Sequence, residues 1–133
     1  VFIVTYIKKP LRYLLLKRKL HWIGWEFPKG GVKEKEPLML AVLRELKEET
    51  GQLPIVVNKF NIQGKYDYDQ QYPDRKGMIG QEYTLFSAEI KNKKIKFDKK
   101  EHSAFKFTSY REALKLLSYE DQKKCLRIVN SGL

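Results

Sequence analysis

The chain has 133 residues, of which 42% are hydrophobic, so it is long enough to bury a core and fits one domain. Its 27 lysines and arginines outnumber its 16 acidic residues, and the net charge of +11 favours an anionic partner or substrate. The longest apolar runs, 1–7 and 14–16, are too short to cross a bilayer, and no signal-peptide pattern precedes them. We therefore predict one domain over residues 1–133, cytoplasmic and without a membrane partner.

The chain carries one cysteine, Cys125, and two histidines. A single cysteine excludes an internal disulfide, and its neighbours Leu126 and Ile128 favour a packing position on a helix over a nucleophilic role. With so few nitrogen and sulfur donors, the sequence disfavours a zinc site of the usual kind.

Four segments rich in apolar and β-favouring residues predict strands around a central helix. The strands run from Val1 to Ile7, Arg12 to Lys17, Ile55 to Gln63 and Gln81 to Ile90, with turn-rich sequence between them. The helix is predicted from about Pro37 to Thr50, because proline suits a first helical turn and Gly51 suits the residue just past a helix end.

Further helical sequence is predicted near the carboxyl end. Ser109 and Glu112 have the spacing of a capping box, and Ser118 opens another helical segment through about Val129. Strands interleaved with helical regions predict a compact α/β sandwich, in which a mixed sheet lies between helices.

The central helix carries three closely spaced glutamates, Glu45, Glu48 and Glu49, which share one stripe of its surface. The other side is formed by Met39, Leu43, Leu46 and Thr50. Crowded carboxylates repel one another unless a cation or solvent compensates, so the pattern favours a magnesium site. For an isolated acidic triplet, a solvated helix face with ion pairs is the commoner structure.

The sequence from Trp25 to Gln52 resembles the signature of the Nudix hydrolases: a glycine, five residues, a glutamate, seven residues, then Arg-Glu-aliphatic-any-Glu-Glu-any-Gly-aliphatic. The matching positions are Gly30, Glu36, Arg44, Glu45, Leu46, Glu48, Glu49 and Gly51. Gln52 departs, because it stands where an aliphatic residue is usual. The run Lys33-Glu34-Lys35-Glu36 also departs from the Glu-Pro-Gly-Glu of many relatives and makes the loop more basic.

The resemblance implies a Nudix-type α/β/α sandwich with a mixed β-sheet and a Mg²⁺ cofactor, for which Mn²⁺ is the alternative. The residues that it assigns to the metal are Glu45, Glu48, Glu49 and the carbonyl of Gly30. Arg44 is expected to orient a glutamate in the catalytic site. Glu36 is expected either to help hold the loop against the helix or to lie at the edge of the metal shell, and a simple loop salt bridge is the other interpretation.

The resemblance also points to a catalytic base that activates water. Glu101 is the leading candidate, because several Nudix enzymes complete the metal site with a glutamate on a distant loop. Glu48 and Glu45 are the alternatives, and a solvated loop glutamate is the other interpretation of Glu101.

Substrate contacts are expected from aromatic and basic side chains. The residues considered for stacking on a nucleobase are Tyr66, Tyr68, Tyr72, Tyr83 and Phe105, although any one of them is more often a packing residue. The residues considered for phosphate contacts are Lys17, Lys29 and Arg75, of which Lys29 is best placed beside Gly30.

Two short segments indicate the substrate class. The run Glu101 to Phe107, with Glu112 and Ala113, is similar to asymmetrical diadenosine tetraphosphate hydrolases, and Ile79 to Tyr83 is similar to RNA 5′-pyrophosphohydrolases. We expect Mg²⁺-dependent hydrolysis of a pyrophosphate bond in a nucleoside polyphosphate, with diadenosine tetraphosphate first and RNA 5′ ends second. A non-catalytic nucleotide- or RNA-binding module is the alternative of another class, and the complete set of helix glutamates argues against it.

The sequence from Lys91 to Lys100 is rich in lysine. It is interpreted either as a nucleic-acid contact surface or, more commonly for such runs, as a solvated hairpin. The lysines also suit inositol pyrophosphates, and the sequence sets no oligomeric state.

Overall fold

The computed structural model describes residues 1–67 and 80–133, and the side chains within 1–62 and 83–133. The described residues form six strands and three helices. They are β1 (Phe2–Ile7), β2 (Arg12–Arg18), β3 (Gly24–Glu26), α1 (Leu38–Thr50), β4 (Val56–Asp67), β5 (Gly80–Glu89), β6 (His102–Thr108), α2 (Tyr110–Leu116) and α3 (Glu120–Ser131). Within this part of the chain, no helix is long and apolar enough to cross a membrane.

The strands form one mixed sheet. Its order is β3-β2-β1-β5-β4, and β6 pairs with β2 off this path. The β1 and β5 strands are parallel, whereas the other pairs are antiparallel. Every residue of β1 is buried, as expected for a strand covered on both faces.

Helices cover both faces of the sheet. On one face, Val4 and Tyr6 of β1 pack in a cluster with Cys125 and Leu126 of α3. On the other face, Ile3 packs in a separate cluster with α1. The predicted three-layer sandwich is therefore confirmed, and Cys125 occupies the predicted packing position.

The helix α1 begins and ends where the sequence predicted. Pro37 precedes its first residue in an extended conformation, and Gly51 follows in the left-handed region at φ 78°, where its N–H donates to Lys47 O. The predicted apolar side is wrong at Met39, which is 43% exposed, because Ala41 and Val42 face the core instead.

Smaller differences concern elements that the sequence placed loosely. The short strand β3 was not predicted. The helical segment predicted from Ser118 is confirmed as α3, although it starts at Glu120, after Tyr119. The α2 boundary agrees with the capping prediction, since Ser109 Oγ accepts a hydrogen bond from the Glu112 backbone nitrogen.

The lysine-rich segment 91–100 is irregular and does not form the hairpin considered from the sequence. It lies against the carboxyl end of α1. The buried amide of Gln52 bonds both the nitrogen and the carbonyl of Lys91, at 3.0 and 3.1 Å, and the Lys96 nitrogen donates to Thr50 O. Ile95 is buried beneath the segment, whereas its lysines are exposed.

Candidate active site

The three glutamates of α1 differ sharply in burial. Glu45 and Glu49 are only 8% and 3% exposed, whereas the Glu48 side chain is 54% exposed. Because α1 lies on the sheet, the stripe that carries the glutamates turns partly inward. Two carboxylates therefore lie in the interior, where an ionised group needs a compensating charge.

The Gly30 loop packs directly against Glu45. The Gly30 N–H donates to Val1 O, and the backbone of Lys29 pairs with that of Phe2 in an isolated antiparallel β-bridge, so β1 fixes the loop. A β-carbon on Gly30 would lie 2.5 Å from Glu45 Oε2 and closer still to the other carboxyl atoms. Only glycine leaves room for the Glu45 carboxylate at this position. The Gly30 carbonyl accepts a hydrogen bond from the Val1 nitrogen at 2.7 Å.

Arg44 connects the loop to the helix. Its guanidinium bonds both carboxylate oxygens of Glu36 at 2.9 Å, Oε1 of Glu45 at 2.8 Å and the Gly31 carbonyl at 2.8 Å. The hydrogen bonds from Arg44, with one from the Lys33 backbone, lower the pKa of Glu36 to about 2. The structure thus brings Arg44 together with two glutamates that it holds in place.

A buried charged network lies on the sheet. Glu26 of β3 is 1% exposed, and its Oε2 lies 2.7 Å from His102 Nε2 and 3.3 Å from Arg18 Nη1. Lys29 Nζ lies 3.6 Å from the other oxygen. Burial alone would raise the pKa of Glu26, but the His102 hydrogen bond and the cations Lys29 and Arg18 outweigh it and lower the pKa. Glu26 is therefore held as a carboxylate.

Glu26, Arg18 and His102 were missed by the sequence reasoning. Glu26 and His102 are 76 residues apart and meet because β3 and β6 both pair with β2. The signal in the sequence was a charged residue between Trp25 and Phe27, and a histidine at the start of the segment that forms β6.

Glu49 lies next to this network. Burial raises its pKa well above the ordinary value, and the nearby carboxylates of Glu26, Glu45 and Glu101 raise it further. Its Oε2 has no hydrogen-bond partner among the described residues. The pKa of Glu45 is also raised, mainly by burial, against a hydrogen bond from Arg44 that lowers it. A divalent cation fits this donor set, because it would satisfy the orphaned oxygen and compensate the crowded carboxylates.

Glu101 reaches the helix glutamates from a distant part of the sequence. It precedes β6, and its carbonyl accepts a hydrogen bond from the Lys19 nitrogen at 2.9 Å. Its side chain is 38% exposed and lies 3.9 Å from Arg18. One ligand atom each from Glu49, Glu101 and His102 lies within 4.8 Å of the others. The structure thus brings Glu101 beside Glu49, with its carboxylate open to solvent.

The predicted substrate contacts are placed unevenly. Lys29 contacts Glu26 at the edge of the carboxylate cluster. Lys17 is adjacent to Leu16 on β2, and since side chains alternate along a strand, it does not share the face of Leu16 and Glu26. The structure therefore does not bring Lys17 to the carboxylates.

The two described aromatic candidates are packing residues. Tyr83 is 7% exposed in the core, with its hydroxyl 3.3 Å from Cys125 Sγ. Phe105 packs between Phe97 and Phe107. Tyr83 belongs to the cluster on the α3 side of the sheet, away from α1. Phe105 pairs with Leu16, which also pairs with Glu26, so its ring lies on the same face of the sheet as Glu26. The side chain of Tyr66 and the residues Tyr68, Tyr72 and Arg75 lie outside the described residues.

Comparison with known proteins places the chain in a family. A family model described as NUDIX domain matches residues 1–127. The chain belongs to the Nudix hydrolase family. In this Nudix domain the matched region contains the Gly30 loop, all of α1 and Glu101.

Individual relatives agree at the level of fold and of one local segment. The Nudix domain resembles the E. coli dihydroneopterin triphosphate pyrophosphohydrolase, with a TM-score of 0.87, 20% identity and coverage of 99% of this chain and 94% of that one. It also resembles a C. elegans Ap4A hydrolase, with a TM-score of 0.71, 22% identity and coverage of 98% and 95%. An RNA pyrophosphohydrolase of Hydrogenovibrio crunogenus is 51% identical over 37 residues, which are 28% of this chain and only 22% of that protein.

Proposed function

We propose that this Nudix domain hydrolyses a pyrophosphate bond in a nucleoside polyphosphate, with Mg²⁺ or Mn²⁺ as cofactor and a dinucleoside tetraphosphate as the preferred substrate type. The observation that carries the proposal is the buried Glu49 carboxylate beside Glu45 and Glu101, one oxygen of which has no hydrogen-bond partner in the described part of the chain. A protein gains nothing in stability from crowding acids in this way, so the cluster is best explained by a cation that it binds.

Each residue of the cluster has a proposed role. Glu45, Glu48 and Glu49 hold the divalent cation, together with the Gly30 carbonyl. When bound, such a cation neutralises phosphate charge and lowers the pKa of water. Arg44 and Glu36 are positioning residues, because their ion pair fixes the Gly30 loop and the Glu45 carboxylate.

Glu101 is the proposed general base. Two carboxylates outside α1 lie near Glu49, and the Glu101 side chain is far more exposed than that of Glu26. It can therefore accept a proton from water that approaches from solvent. Arg18, which is paired with the buried Glu26, places a positive charge beside the Glu101 carboxylate. Lys29 supports the substrate as a phosphate contact, since its ammonium borders the cluster.

Two observations rank the substrates. The segment Glu101 to Phe107 and the similarity of fold to an Ap4A hydrolase support the dinucleoside tetraphosphate. The similarity over 37 residues to an RNA pyrophosphohydrolase, with the net charge of +11, supports RNA 5′ ends as the second candidate. Degenerate binding modules lose metal-binding acids, whereas Glu45, Glu48 and Glu49 are all present here.

The test is a magnesium-dependent product-release assay on a substrate panel. The panel contains diadenosine tetraphosphate, 5′-triphosphorylated RNA, nucleoside triphosphates and inositol pyrophosphates, and Glu49→Gln controls for contaminating phosphatases. We expect ATP and AMP from the dinucleotide as the fastest reaction. Turnover of RNA alone would promote the second candidate, and binding of all substrates without release would identify a binding module.

A further inference from the structure

Among the described residues, one ring nitrogen of His102 has a hydrogen-bond partner and the other has none. His102 is 0% exposed, and its Nε2 lies 2.7 Å from the Glu26 carboxylate. Its Nδ1 has no hydrogen-bond partner among the described residues. If Nε2 carries the proton and donates it to Glu26, Nδ1 presents a lone pair in a fully buried place.

This ring lies in the same small space as two carboxylates. One ring nitrogen of His102 and one carboxylate oxygen each from Glu49 and Glu101 lie within 4.8 Å of one another. Glu49 Oε2 is also without a hydrogen-bond partner among the described residues. Glu26 Oε1 is a third such atom in this network. Buried polar atoms are usually paired, so these unpartnered atoms indicate a ligand that satisfies them. In the described part of the chain, the three carboxylates of Glu26, Glu49 and Glu101 also outnumber the cations near them, which are Arg18 and Lys29.

We propose that His102 Nδ1 is a nitrogen ligand of a divalent cation that Glu49 and Glu101 also bind, and that it makes this position favour a transition ion over Mg²⁺. Metal-binding histidines commonly donate their other ring N–H to a carboxylate, which orients the ring and strengthens it as a ligand, and Glu26 occupies that place. Mg²⁺ prefers oxygen ligands, whereas imidazole suits transition ions. The inference shares its carboxylates with the proposed hydrolytic site and otherwise adds to it.

The first measurement needs no substitution. Protein labelled with ¹⁵N at histidine is loaded with Mn²⁺, and pulsed electron paramagnetic resonance reads the nuclei bound to the ion. We expect a directly bound histidine nitrogen whose coupling changes between ¹⁴N and ¹⁵N protein. Since the chain has only two histidines, His21 and His102, a signal arises from one of them. Absence of any histidine coupling in the Mn²⁺-loaded protein overturns the proposal.

A pair of variants then assigns the nitrogen. His102→Gln keeps an amide nitrogen about where Nε2 sits, so it retains the bond to Glu26 and removes Nδ1. His21→Asn is the matched control, because His21 has a φ of 73° and asparagine tolerates that conformation. We expect His102→Gln to lose the coupling and to weaken Mn²⁺ binding by about tenfold or more, with a much smaller change for Mg²⁺. His21→Asn should match the wild type in both measurements.

The outcomes separate this inference from the proposed function. Equal losses of Mn²⁺ and Mg²⁺ affinity in His102→Gln, with no coupling in the wild type, would leave His102 as a positioning residue for Glu26. Hydrolysis with Mg²⁺ would stand in that case. Conversely, a histidine coupling in a protein that cleaves none of the panel would support the nitrogen ligand and refute the proposed hydrolysis.

Discussion

Substitution of Gly30 by alanine should disable the site while leaving the fold in place. Gly30 does not have a positive φ, so its backbone accepts an alanine. The added β-carbon, however, would lie 2.5 Å from Glu45 Oε2, about 0.9 Å short of the 3.4 Å of an ordinary contact, and the other carboxyl atoms are closer. Glu45 is buried and bonded to Arg44, so its carboxylate has to leave its place.

The consequence for catalysis follows from the geometry that metals require. Mg²⁺ needs its oxygen ligands near 2.0–2.1 Å, and a displacement of about 1 Å removes one of them. Misplacement on that scale costs on the order of a hundredfold in rate, or about 2.7 kcal/mol of transition-state stabilisation. We therefore expect Gly30→Ala to lose about a hundredfold in turnover and to bind Mn²⁺ more weakly.

The neighbouring glycine provides the control. A β-carbon on Gly31 meets nothing within 4 Å, so Gly31→Ala should turn over like the wild type. Both variants are compared by magnesium-dependent product release, by Mn²⁺ titration and by circular dichroism. Turnover of a folded Gly30→Ala within about threefold of Gly31→Ala would refute the idea that the glycine makes room for a metal-binding Glu45.

Four further predictions concern other parts of the site. Glu49→Gln should lower turnover at saturating magnesium about a hundredfold or more, about 3 kcal/mol, and near-normal turnover would remove Glu49 from the metal site. The same variant should make the metal-free protein more stable at neutral pH. Because the folded pKa of Glu49 is raised above its ordinary 4.5, the folded state holds a proton that the unfolded chain releases. Wild-type stability therefore falls as pH rises from 4.5 through the raised pKa, and the variant should melt higher at pH 7, by about 3–6 °C per kcal/mol, but not at pH 4. An equal melting difference at both pH values would contradict this sign. Glu101→Gln should depress turnover with little change in KM, and a change confined to KM would transfer the role of base to Glu48 or Glu45. Neutralising Lys93, Lys94 and Lys96 together should barely alter cleavage of a dinucleoside tetraphosphate, whereas cleavage of RNA that depends on these lysines and exceeds that of the dinucleotide would reverse the substrate ranking.

The helix and its ends could be predicted because their signals are local. The spacing of Glu45, Glu48 and Glu49 fixes their common stripe, and Pro37 and Gly51 mark the boundaries. The direction in which the stripe faces was beyond local spacing, since it depends on how α1 rests on the sheet. That packing buries Glu45 and Glu49 and leaves Glu48 exposed.

Contacts between distant residues could not be predicted in the same way. Glu26 and His102 meet across β2, and no periodic pattern relates two positions 76 residues apart. Aromatic identity was equally uninformative, because Tyr83 has the chemistry to stack on a base yet is buried in the core, and Phe105 packs against Phe97 and Phe107. The family resemblance reached Glu101 only because it supplies long-range information that composition and spacing lack.

Gln52, one of the two departures from the family signature, connects the end of α1 to the backbone of Lys91. Its side-chain oxygen accepts a hydrogen bond from the Lys91 N–H, and its side-chain nitrogen donates one to the Lys91 carbonyl, as the backbone of a neighbouring strand would. A leucine at position 52 would leave both groups without that partner. If the basic segment 91–100 is transferred to a relative, Gln52 therefore has to be transferred with it. Without this glutamine, the hydrogen bonds that position the start of the segment would be missing.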